Sequence, residues 1–242
     1  MNAALRGAIV TCAALLGSCA GVRMRVDPEH LRHVETIAPV GFVANHFVLP
    51  PTSVSGDSTA VPEPTDATGA MILADGIRTF LGALRSSERF KVFLPDQVLR
   101  AKSYGQFPIL SASNTTGAQL PDGAWRYVTP QDGEKVANLL EEIDADAGLI
   151  AWWRFTLDAQ ASGDVGLQTA TPRAHLRAWL IGRDGTVVFD DEIEVAGDDA
   201  VPLYNGRYES ARVPIVFDDV IATCAVRLAV DLSNARAKAR GE

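Results

Sequence analysis

The chain predicts an α+β fold: one domain built on a mixed four- to five-stranded sheet with helices packed on it and long loop insertions. Three observations carry this reading. Apolar residues recur at helical spacing in three separated stretches. Residues 148–157 alternate in the two-residue period of a strand. Asp184-Gly185 sits between two alternating runs, where a tight hairpin turn belongs. With 242 residues, of which 47% are hydrophobic, the chain can bury a substantial core.

The first element is not part of the domain. Arg6 precedes an uncharged run over residues 8–16, the layout of a secretory signal, and the run is far shorter than the roughly 20 apolar residues that span a bilayer. Leu16-Gly17-Ser18-Cys19 closes it and resembles the lipobox of bacterial lipoproteins. That resemblance implies a signal peptide of residues 1–18, diacylglycerol on Cys19, and an acylated new amino terminus. Ala20 in place of Asp implies, by likeness to the enterobacterial sorting rule, the periplasmic face of the outer membrane, with inner-membrane retention the alternative. An ordinary secretory signal cut near Ala20 would instead leave Cys19 an incidental thiol.

After a tether over 19–32, the domain spans 33–239. Val34, Ile37, Val40, Phe42 and Val43 predict a strand, and Pro39 within it, lacking a ladder donor, predicts an edge or bulged one. Residues 44–66, rich in Pro, Ser, Thr and Gly, read as an exposed loop. Leu73, Ile77, Phe80, Leu81 and Leu84 define one face of a helix over 68–87. A short strand over 90–94 and a brief helix opened by Pro95-Asp96 follow. Residues 103–127 have turn residues and no period, yet carry Phe107, Ile109, Leu110 and Trp125. Such an insertion either docks a partner or folds back as a lid. Thr129-Pro130 starts a helix with Val136, Leu139, Leu140 and Ile143 buried, and residues 148–157 form a strand.

In the hairpin, a two-residue turn at Asp184-Gly185 pairs Leu180 with Phe189 and Leu176 with Ile193 on one face. The other face then pairs Trp179 with Asp190, Arg177 with Glu192 and His175 with Glu194. A one-residue slip would set apolar against acidic residues, so this register is specified. A final helix covers about 212–235, with Cys224 on its apolar stripe as a core thiol.

This order resembles the activator lipoproteins of penicillin-binding proteins, the curli-secretion lipoprotein and the amino-terminal domain of TolB. The phrases that carry the resemblance are Leu-Arg-Ser-Ser-Glu-Arg-Phe-Lys-Val over 84–92, Asp-Ala-Asp-Ala-Gly-Leu-Ile over 144–150, and the hairpin over 180–189. They are structural phrases without catalytic content. The two insertions, and Ala151-Trp152-Trp153 where those families have a small residue and threonine, depart from the pattern.

Removing residues 1–18 leaves 21 basic and 30 acidic residues, a net charge of about −9, which argues against nucleic acid as a partner. No G-x-S-x-G, phosphate-loop, G-x-G-x-x-G or H-E-x-x-H pattern occurs. His30 and His33 lie at the tether and read as a solvated linker, and Asp144 and Asp146 lack the spacing of a calcium loop, so no metal, cofactor or catalytic residue is assigned. What remains is a constellation on one sheet face: Trp152, Arg154, His175, Arg177 and Trp179, opposite Asp190, Glu192 and Glu194. Trp and Arg are enriched in binding hot spots. With Phe107 and Trp125, these residues are the candidate partner contacts. The reading is a non-enzymatic, membrane-anchored envelope lipoprotein that binds a cell-wall synthase, secretion or transport component. The alternatives are an auxiliary lipoprotein of an ABC-type lipid transporter, or a periplasmic hydrolase using carboxylates such as Glu141 or Asp190.

Radiolabelled palmitate is expected to enter the wild-type protein and not Cys19→Ala. Equal labelling of the two would contradict lipidation at Cys19.

Overall fold

The computed structural model describes residues 24–46, 48, 68–110, 117–160, 167–204 and 210–242. Cys19, the tether up to residue 23, most of the 44–66 loop and the centre of the 103–127 insertion lie outside the described residues. In chain order the elements are β1 Arg25–Val26, α1 Pro28–Leu31, β2 Thr36–Asn45, α2 Gly69–Ser86, β3 Lys91–Val92 and α3 Pro95–Leu99. Next come β4 Ala118–Gln119, α4 Gly133–Ile143, β5 Ala147–Gln160, β6 Leu167–Gly182, β7 Val187–Ala196, β8 Val201–Tyr204 and α5 Val213–Arg240.

The sheet has eight strands rather than four or five. Its order is β1-β7-β6-β5-β2-β3, with β4 paired to β2 and β8 to β6. Strands of two to four residues, such as β1, β4 and β8, are too short to show a period, which is why sequence periodicity misses them. β2 is not an edge strand. It runs parallel to both β5 and β3, and it is buried on both faces. Pro39 is tolerated because the register against β5 shifts between Pro39 and Gly41, so the missing N–H falls at a bulge.

One face of the sheet is closed by α2 and α5. Phe80 of α2 meets Trp153 edge-on at 5.2 Å between centroids, and Phe155 meets Phe217 of α5 at 5.1 Å. The two helices approach closely at Gly76, where a Cβ would lie 2.2 Å from Ile221 Cδ1. α4 packs on the opposite face, its Val136 and Leu140 lying over Gly148 of β5. Cys224 is fully buried, and burial pushes its thiol up to about 12, out of the reactive range.

The hairpin has the register read from its alternation: Leu180 faces Phe189, Leu176 faces Ile193, and Arg177 faces Glu192. Its turn differs. Gly182 N donates to Thr186 O at 2.8 Å, and of the turn residues only Gly185 is left-handed, at φ 79°. This is a three-residue loop, and the extra residue is compensated by a bulge at Val188 that restores the pairing below it. The turn rests on α4, since a Cβ on Gly133 would lie 2.1 Å from Gly185 O.

The described parts of the 103–127 insertion, residues 103–110 and 117–127, place three aromatic residues in the core. Tyr104, Phe107 and Trp125 are buried, Trp125 meets Phe42 at 4.8 Å, and the Tyr104 hydroxyl accepts from Arg126 N. Glu142 of α4 ties down its start by accepting from Lys102 N and Ser103 N.

Candidate partner-binding face

Alternation along β5, β6 and β7 sends Ile150, Trp152, Arg154, Thr156 and Asp158, with their cross-strand partners, to the face away from α2 and α5. The lower half of this face is covered. α4 lies over Gly148, and Trp152 Nε1 donates to Val128 O at 3.4 Å. Trp152 packs against Tyr127 at 6.0 Å and edge-on against Trp179 at 5.5 Å. Beyond the two tryptophans, among the described residues, the face is open: Arg154 and Arg177 are exposed, and Arg173, His175 and Glu192 are half-exposed.

The five sheet residues proposed as partner contacts do converge on this face, since Trp152 faces Arg177 and Arg154 faces His175 across the ladder. Their accessibility differs. Trp179 is only 6% exposed and serves as floor, with the Arg177 guanidinium 4.8 Å over its ring. Arg177 donates from Nε and Nη2 to the Asp190 carboxylate at 3.2 and 3.1 Å, and Glu192 lies 3.5 Å from its Nε. His175 Nε2 is 3.9 Å from Glu192. Arg173 links Asp158 at 2.7 Å and Glu194 at 2.6 Å. Arg154 has no ion pair among the described residues.

Phe107 and Trp125 are corrected: at 2% and 4% exposed they are core residues, not contact residues. Sequence offered both docking and fold-back for this segment and could not choose between them, because isolated aromatics in a loop carry no period. Tyr127, Arg173 and Asp158 were missed, although Asp158 and Arg173 fall on the same alternation as Arg154 and Arg177 and could have been read from it. Of the two carboxylates considered for hydrolysis, Asp190 is engaged by Arg177 and Glu141 is exposed on α4. His30 lies between Asp27 at 2.9 Å and Asp184 at 3.3 Å, and His33 accepts from Arg32 Nε. No group of three His, Cys, Asp or Glu suited to a metal ion occurs among the described residues.

Under the sheet lies a carboxylate with no evident place in the sequence pattern. Asp191 of β7 points toward α5 and is 2% exposed. Burial, followed by the negative charge of Asp231 on α5, pushes it up to about 6.

No protein-family model and no curated protein sequence matches the chain. Among solved structures, a dodecamer of a PelC variant from Paraburkholderia phytofirmans is 14% identical, with 86% of this chain and 97% of that one covered and a TM-score of 0.32. A second PelC dodecamer from that organism is 12% identical over 84% of this chain and 94% of that one, at 0.29. A Xanthomonas campestris protein of family DUF330 is 14% identical over 56% and 79%, at 0.24. Likeness at this level assigns neither family nor activity.

Because its folded-state pKa lies above the unfolded one, Asp191 destabilises the fold once ionised. The penalty is absent below about pH 4, grows between pH 4 and 6, and is complete above. Asp191→Asn is therefore expected to stabilise the protein at pH 7.5 by on the order of 2–3 kcal/mol and to change little at pH 4. Thermal unfolding at the two pH values checks this, and an equal shift at both would contradict it.

Proposed function

We propose that this chain is a non-enzymatic lipoprotein of the bacterial envelope, anchored through Cys19, that binds another envelope protein with the open half of its second sheet face. The observation that carries the reading is the arrangement of that half-face. A three-strand platform presents a Trp152 and Tyr127 edge beside exposed Arg154 and Arg177 and half-exposed Arg173 and His175.

Arg173, His175 and Arg177 are paired with carboxylates of the chain itself, whereas Arg154 has no ion pair among the described residues, which bears on how a partner would engage them. Solvent-exposed pairs such as Arg173 with Asp158 and Glu194 contribute roughly 0–1 kcal/mol each. A partner carboxylate can replace one at little cost and leave the total charge pairing unchanged. The half-buried Trp152 indole supplies apolar contact area at a fixed position, because Val128 and Trp179 hold it. The acidic balance of the chain and the lack of catalytic patterns favour a protein partner over nucleic acid or a small substrate.

A photo-crosslinking residue placed at Arg154 in envelopes is expected to give a discrete protein adduct. The same residue at Arg78, exposed on α2, is the control and is expected to give none. Arg173→Glu combined with the Arg154 probe should abolish the adduct. Absence of any adduct at Arg154, or the same adduct at Arg78, would contradict the proposal.

A further inference from the structure

At the end of the sheet where β2 and β3 begin, a cleft of about 330 Å3 is lined by Arg89, Lys91, Arg236 and Arg240, with Glu35 and Glu88. Four cations against two carboxylates is a marked local excess on a chain whose net charge is −8. The cations come from two places far apart in sequence. Arg89 sits on the connection between α2 and β3 and Lys91 opens β3, whereas Arg236 and Arg240 occupy the last two turns of α5.

Backbone contacts hold these groups in position. Arg236 Nη1 donates to Val34 O at 2.9 Å and Nη2 to Arg89 O at 3.0 Å, and its guanidinium lies 4.4 Å over the Phe90 ring. Arg240 Nε donates to Arg32 O at 3.0 Å. Both arginines spend donors on neutral carbonyls, which fixes their place without neutralising their charge. Among the described residues the cluster has one ion pair, Arg240 with Glu35, at 3.8 Å and with Glu35 largely exposed. The crowding is felt at Arg236, whose pKa is lowered by burial and then by the charge of Arg240. Glu88, on the rim, holds the left-handed conformation at φ 53°, an uncommon one for Glu.

We propose that this cleft binds a phosphoryl anion, the chemistry shared by a phospholipid headgroup and a soluble phosphoester. A tetrahedral dianion can accept from several guanidinium and ammonium donors at once and relieve the like-charge crowding. The volume exceeds what a bare phosphate fills, leaving room for a polar substituent. The cleft is bordered by Arg32 and Glu35, a short distance along the chain from Cys19. The headgroup source rests on the anchored reading of the protein, whereas binding of free phosphate does not.

The test uses the full chain and two probes: inorganic phosphate followed by calorimetry at low salt, and sedimentation with vesicles of phosphatidylglycerol or of phosphatidylcholine. Arg89→Gln/Lys91→Gln removes two exposed cations that hold no backbone contact, and an unchanged thermal melt shows that it folds. Arg78→Gln/Arg100→Gln is the charge-matched control. Binding that is saturable and about tenfold weaker in the cleft variant, but unchanged in the control, supports the proposal. If phosphatidylglycerol vesicles bind and free phosphate does not, the source is a headgroup. If phosphate binds and vesicles do not, the source is soluble. No saturable binding of either probe, or equal weakening in both variants, would overturn it. Loss of palmitate labelling bears on the anchor alone and leaves the phosphate result intact.

Discussion

The sheet depends on one carboxylate. Asp146, at the entry to β5, accepts from Glu35 N at 3.0 Å and from Thr36 N and Thr36 Oγ1 at 2.9 Å, and its own N–H donates to Thr36 Oγ1 at 2.8 Å. β2 and β5 are parallel and their paired starts are 110 residues apart, so no hairpin sets their register. The Asp146–Thr36 exchange does so, matching Ile37 to Ala147 and the pairs that follow up to the bulge after Pro39. Partial burial pushes this carboxyl up, but the hydrogen bonds from Glu35 and Thr36 outweigh that, and its pKa is lowered. Its contribution is present above the ordinary carboxylate range and is lost only as pH falls through the lowered value.

From that junction the faces follow. Once β5 is placed, β6 and β7 add as antiparallel neighbours with every second side chain directed at α2 and α5. This face is apolar apart from Asp191, and its aromatic rings interlock across the layer. The opposite face receives α4 and the segment around Val128, which stop at Trp152 and Trp179. The exposed half of that face is thus a consequence of how far α4 and its leading segment reach. The Arg183 side chain reinforces the same end, donating to Ala145 O and pairing with Asp144, and so ties the hairpin turn to the end of α4 and the β5 entry.

The parts of this fold legible from sequence are those in which period and turn chemistry agree. The β6–β7 register could be read because a slip would oppose apolar to acidic residues along its whole length. The helix faces of α2 and α4 could be read because Leu73, Ile77, Phe80 and Val136, Leu140 repeat at one spacing. The turn type was not legible, since Asp184-Gly185 suits both a two-residue loop and a three-residue loop offset by a bulge. Pro39 suggested an edge or a bulge, and the bulge is what occurs; the choice between them depends on β5, more than a hundred residues away. Phe107 and Trp125 looked available because nothing local marks a loop aromatic as core. The basic cleft assembles Arg89 with Arg236, which sequence proximity cannot show. The Asp144-Ala145-Asp146 phrase was visible, but its physical work, crossing to Thr36, required the tertiary structure.

The most direct measurement is equilibrium urea unfolding of Asp146→Ala beside Asp75→Ala, an exposed aspartate on α2. If Asp146 sets the parallel junction, its loss should cost about 2–4 kcal/mol, because several charge-assisted hydrogen bonds and the partners left behind are involved. Asp75→Ala should cost less than about 0.5 kcal/mol, as surface substitutions do. Equal and small effects from the two substitutions would contradict the dependence of the sheet on Asp146.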